Sequence, residues 1–74
     1  MIKYIDCGLS RHFLTKIIDE EKRERIRIVS DIVNSIRLND IGVHEYGKYM
    51  LAIEKDKITI VTPKQVYIKR LMLH

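Results

Sequence analysis

The stretch in the 74-residue chain that most suggests chemistry is His44-Glu45-Tyr46-Gly47-Lys48, which begins like the zinc-protease signature of two histidines one helical turn apart around a glutamate. Lys48 stands where the second histidine would be, and without that ligand no such site forms. The other candidate ligands, Cys7, His12 and His74, are scattered along the chain and lack the close paired spacing of structural zinc sites. Gly8, Gly42 and Gly47 form no phosphate-cradling pattern, and no serine or cysteine nucleophile motif is present. The neighbouring carboxylates Asp19, Glu20 and Glu21 belong to a mixed-charge run, whose usual purpose is solvation. "YGKYMLAI", Tyr46 to Ile53, sets aromatics beside a lysine as base-stacking strands do, but it lacks the glycine–aromatic alternation of the RRM motif. Tyr49 is therefore expected to face the core, and no catalytic residue, metal or cofactor is expected.

Charge is the more informative signal. Residues 1 to 56 hold ten Lys/Arg and ten Asp/Glu, so the whole net charge of +4 comes from Lys57, Lys64, Lys69 and Arg70 near the C-terminus. A localised excess of this kind can contact nucleic acid or an acidic protein. Cys7 has no second cysteine to pair with inside the chain, which suits a reducing compartment and the interior of a small domain. No uncharged run exceeds the six residues Ile58 to Pro63, well short of the roughly 20 that cross a bilayer. A cytoplasmic chain with no membrane contact is the expectation.

The elements that must carry these residues can be read from pattern. Met1 to Asp6 alternates as a short strand does, Gly8 closes it, and Ser10 is placed to cap a helix. No glycine or proline interrupts Leu9 to Ile41. Leu14 and Ile32, like Ile18 and Ile36, are 18 residues apart and share a helical phase, and Val29 and Val33 fall on the same side. That phase favours one helix from Arg11 to Leu38, with Asp19–Arg23 and Glu21–Arg25 as supporting ion pairs. The competing arrangement is a helix pair in which Asp19 caps the second helix. A single 28-residue helix would be about 42 Å long, whereas a folded chain of this length has a radius of gyration of about 11 Å. Such a helix needs cover for Ile26, Val29, Ile32, Val33 and Ile36, and a second copy would supply it, so a homodimer is expected.

Asn39 to Gly42 reads as a helix stop and Val43 to Gly47 as a loop. Tyr49–Glu54 and Lys57–Thr62 form a hairpin about Lys55-Asp56, in a register that opposes Ile53 to Ile58 and Leu51 to Ile60 and places Tyr49, Leu51, Ile53, Ile58 and Ile60 on one face. Thr62-Pro63-Lys64-Gln65 matches a capping box, which predicts a C-terminal helix with Tyr67, Ile68, Leu71 and Met72 on one side; the β-prone Val66 to Ile68 makes a fourth strand the alternative. The expected fold is a single α+β domain over residues 1–74: N-terminal strand, long helix or helix pair, antiparallel hairpin, then helix or strand.

This order is similar to two known designs. It resembles the RelE/ParE-type toxin fold, in which a strand and a helical segment precede antiparallel strands and whose central hairpin "KYMLAIEKDKITIV" looks like. The resemblance implies ribonuclease chemistry by basic, aromatic or histidine groups late in the chain, roles open here to Tyr67, Lys69, Arg70 and His74. Residues 2 to 38 also resemble the ribbon-helix-helix repressor, if the helix breaks near Asp19; that implies DNA binding by a dimeric strand pair. Neither covers the whole chain. The reading preferred on the residues themselves is a non-enzymatic binding or regulatory protein, a homodimer whose basic segment touches an acidic protein or nucleic acid.

Overall fold

The computed structural model describes residues 4–6, as backbone, and 8–71. The element order is β1 (Tyr4–Asp6), α1 (Arg11–Ile17), α2 (Lys22–Arg37), β2 (Gly42–Tyr46), β3 (Tyr49–Ile53), β4 (Lys57–Val61) and β5 (Val66–Arg70). The strands form one sheet in the order β1-β5-β4-β3-β2, with β1 parallel to β5 and every other pair antiparallel. The class is α+β. The expectations for Cys7, Met72 and His74 lie outside the described residues.

The single long helix is not what forms. α1 starts at Ser10, whose hydroxyl accepts from the Phe13 amide at 3.0 Å. It stops when Ile18 turns extended (ψ 102°) and drives its side chain into the core. The next amide, that of Asp19, donates to the Tyr49 hydroxyl at 2.8 Å, a partner on the sheet. α2 then begins behind Glu21, and not Asp19: the Glu21 carboxylate accepts from the Glu24 amide at 2.7 Å. The charged run from Asp19 to Arg25 is thus the corner and the first turn of α2. The expected Asp19–Arg23 and Glu21–Arg25 ion pairs are not among the ion pairs of the described residues; Arg27 instead bonds Glu24 and lies 3.6 Å from Asp31. The bond from Arg27 holds the Glu24 carboxyl below the usual carboxylate range and raises Arg27 in turn.

At its far end α2 closes in a Schellman motif. Asn39 adopts φ +50°, its amide bonds the Ile36 carbonyl, and the Asp40 amide reaches the Ser35 carbonyl at 3.1 Å. The helix stop at Asn39 to Gly42 is where the sequence places it.

Both helices lie on one face of the sheet. The side chains that meet there are Leu14, Ile18, Ile28, Val29 and Ile32 from the helical segment and Tyr49, Leu51, Ile53, Ile58 and Ile60 from β3 and β4, each no more than 4% exposed. Two of the residues expected to face a second copy, Val29 and Ile32, are therefore in the chain's own core, with Val33 and Ile36 packed against it; only Ile26 is exposed. A bend at residues 18–21 brings both arms of the stripe onto the sheet, so the overlength argument for a second subunit does not apply. The molecule measures 38 × 30 × 20 Å, with a radius of gyration of 11.6 Å.

The β3–β4 hairpin has the expected register: Ile53 opposes Ile58, Ala52 Thr59, Leu51 Ile60 and Met50 Val61. Lys55 and Asp56 make the turn, and the Lys57 ammonium sits 3.9 Å from Glu54. One segment differs from expectation, and in another the strand alternative is the one that forms. Val43 to Gly47 is not a loop, because Gly42–Tyr46 is a strand joined to β3 by the two-residue turn Gly47-Lys48. Gly47 has φ +61° at the first central position, the geometry of the type II′ turn that suits hairpin twist. The segment after Pro63 is β5 and not a helix. The Thr62 hydroxyl does bond as the capping box demands, accepting from the Lys64 and Gln65 amides that follow it at 3.3 and 3.0 Å. The Thr62 amide meanwhile donates to the Gln65 carbonyl at 2.9 Å, which closes a reverse turn and returns the chain along β4.

Candidate functional site

The hairpin geometry decides where the four C-terminal cations stand. Lys57 opposes Arg70 at the open end of the β4–β5 pair, with Lys69 one residue before Arg70, whereas Lys64 occupies the turn at the other end. Successive strand residues point to opposite faces, so Lys69 and Arg70 diverge. The basic segment is two separate surfaces. The groups that the toxin resemblance would use are divided in the same way: the Tyr67 ring packs edge-on against Phe13, with centroids 5.3 Å apart, on the helical side, and Arg70 lies on the opposite face.

Folding assembles a cation cluster that the sequence does not display. A cleft of about 390 Å³ opens between the end of α1, the α1–α2 corner and the β4–β5 turn. Lys16, Arg25 and Lys64 line it, with Asp19 as the one carboxylate and Thr15, Thr62, Gln65 and Tyr67 as neutral polar groups. A smaller cavity of about 70 Å³ shares Asp19, Thr62 and Lys64 with it and adds Lys48 and Tyr49. None of Lys16, Arg25 and Lys64 has a carboxylate within 4.0 Å among the described residues, whereas Lys48 is 3.7 Å from Glu20 and lies over the Tyr49 ring.

Each cation is placed by an identifiable local cause. Lys16 lies in the last turn of α1, the favourable end of the helix dipole for a positive charge. Arg25 is a half-buried residue of the first turn of α2, and its amide bonds the Glu21 carbonyl at 2.8 Å. The Lys64 amide donates to the hydroxyl of Thr62, a residue only 7% exposed, and Pro63 pre-sets the turn. The Tyr49–Asp19 bond pins the corner between them. Three cations against one carboxylate leave a concave, positively charged site that holds no nucleophile paired with a base. Such a site can bind anions and steer them in.

Sequence reading had Lys64 and missed Lys16 and Arg25, which look like ordinary members of solvated helix faces. Nothing local marks them; only the corner at residues 18–21 turns them toward Lys64. Of the histidines, His12 is exposed, and His44 sits with its Nε2 2.8 Å from the Asp40 carbonyl oxygen and 3.8 Å from the Asp40 carboxylate. Among the described residues no three His, Cys, Asp or Glu side chains come together in a metal-binding group. No helix is long and apolar enough to cross a membrane among those residues. No protein-family model, no curated protein and no solved structure matches the chain.

Proposed function

We propose that the protein is a non-enzymatic binding or regulatory module that holds an acidic macromolecule at the Lys16–Arg25–Lys64 cleft. The observation that supports this is the charge of the cleft: three cations with no carboxylate within 4.0 Å, gathered from three separate elements around a concavity. Leaving like charges adjacent costs stability, and binding an anion offsets that cost. A regulator that acts by occluding its partner needs a surface and no catalytic group, which suits a chain of this size. The partner presents several negative charges, as a nucleic-acid backbone or an acidic protein segment does. Lys57, Lys69 and Arg70, at the far end of the sheet, add long-range attraction without touching the cleft.

The test is a titration of a fluorescent single-stranded oligonucleotide and of a poly-glutamate peptide at salt concentrations from about 50 to 200 mM. Binding of either is expected to weaken as salt rises. Replacing Lys16, Arg25 and Lys64 by Ala should flatten that salt slope by about two to three charges, whereas Lys57, Lys69 and Arg70 replaced together should lower affinity and alter the slope less. Unchanged affinity in the first triple variant would remove the cleft from the function.

A further inference from the structure

Resting on the anion-binding reading of the Lys16–Arg25–Lys64 cleft, we infer that its macromolecule is a single-stranded nucleic acid and that the adjoining small cavity reads the edge of an unpaired guanine base. The cavity, of about 70 Å³, shares Ile17, Asp19, Thr62 and Lys64 with the cleft and adds Tyr49. Tyr49 is 1% exposed, and its oxygen accepts from the Asp19 amide at 2.8 Å, while its own proton has no acceptor among the described residues. Buried donors are seldom left without a partner. The hydroxyl is the end of the ring that meets Asp19, a wall of the same cavity, so its proton is open to an acceptor atom held there.

Asp19 supplies the complementary group. Its carboxylate is exposed, accepts no hydrogen bond and has no cation within 4.0 Å among the described residues, although Lys16, Arg25 and Lys64 line the same cleft. A carboxylate in that place repels the carboxylates of an acidic peptide but accepts from N–H groups, and a nucleic acid carries both phosphates and base N–H groups. Of the four bases, only guanine sets two N–H donors, on N1 and the 2-amino group, beside a carbonyl oxygen, O6, on its pairing edge. The Asp19 carboxylate takes the two donors together, and the Tyr49 hydroxyl, tied to the Asp19 amide, donates to O6. A cavity of this size admits the edge of a base and no more, so sugar and phosphate stay in the larger cleft with Lys16, Arg25 and Lys64. Ile17 and Pro63 give the ring apolar walls, and Lys48, 3.7 Å from Glu20, is left out of the set. In a duplex the pairing edge is hidden, so the strand must be single.

The test titrates the full chain with short fluorescent oligouridine strands in which one central residue is replaced by guanosine, inosine, adenosine or cytidine, at about 50 mM salt. The guanosine strand is expected to bind roughly tenfold more tightly than the all-uridine strand, and inosine, which lacks the 2-amino group, to lose part of that gain. Asp19→Asn should act in opposite directions on two ligands: the guanosine preference disappears, while the all-uridine strand binds more tightly because a repelling charge is gone. An Asp19 with a merely structural role would weaken both. Tyr49→Phe, measured well below its thermal transition, should reduce the guanosine preference, whereas Lys57→Ala, at the far end of the sheet, should not. Equal affinity for every strand, or a guanosine preference that survives Asp19→Asn, overturns the base reading and leaves the anion cleft standing. Poly-glutamate bound more tightly than every strand overturns it in favour of an acidic protein, and no binding of any polyanion overturns the cleft together with it.

Discussion

Tyr49 serves both the core and the corner between the helices. Its ring is buried in the core, where the alternation of the hairpin places it, and its oxygen is the acceptor for the Asp19 amide at the corner between the helices. Tyr49→Phe should leave the core packed and strand that amide, lowering stability by about 1 to 2 kcal/mol; the urea midpoint is expected to fall with no change in slope. Thr62 has a similar place at the β4–β5 turn, where its oxygen serves two amides and also donates to the Gln65 carbonyl. Thr62→Val keeps the shape and removes those bonds, at a cost of about 1 to 3 kcal/mol. Because Lys64 hangs on this turn, the same variant should weaken anion binding at 50 mM salt; stability lost without any change in affinity would separate Lys64 from the cleft.

The helical segment and the segment after Pro63 were legible in part, and for different reasons. A stripe that keeps its phase over Leu14, Ile18, Ile32 and Ile36 is what one rod requires, but two short helices lying on one sheet need apolar residues in the same places. Periodicity cannot separate these arrangements, and the charged run propagates a helix as readily as it starts one. The decision rests on Ile18 and Asp19, which gain more from the core and from Tyr49 than from continuing the helix. The consequence is testable: Ile32 is 1% exposed inside its own chain, so Ile32→Glu should abolish cooperative thermal unfolding through an unpaired buried carboxylate. A folded Ile32→Glu chain, with an intact melting transition, would return that stripe to the surface. After Pro63 the local chemistry leaves helix and strand both open: a threonine that caps a helix and one that closes a reverse turn accept from the same amides, and pairing with β4 selects the strand alternative. For β2 the usable signal was Gly47-Lys48 between Tyr46 and Tyr49, a glycine-first hairpin turn.

For the molecule as a whole, the net charge of +4 is less telling than its division between two ends of the sheet. Lys16, Arg25 and Lys64 concentrate at the corner, while Lys57, Lys69 and Arg70 stand at the other end of the β4–β5 pair, on its two faces. If the corner is the binding site, adding inorganic phosphate or polyphosphate should raise the thermal midpoint by mass action, more steeply for the longer anion. The Lys16, Arg25 and Lys64 alanine variant should lose most of that rise, and an equal rise in variant and native chain would relocate the anion.

By itself the sequence determined the α+β class, the β3–β4 register, the Ser10 cap and the Asn39 stop, because each is set by residues close together in the chain whose preferences agree. Tertiary structure alone decided the corner at residues 18–21, the return of β5, the burial of Val29 and Ile32 and the gathering of Lys16, Arg25 and Lys64. Those outcomes depend on contacts between distant segments, where burial of Ile18 and the bond from the Asp19 amide to Tyr49 together outweigh the local preference of the residues they join.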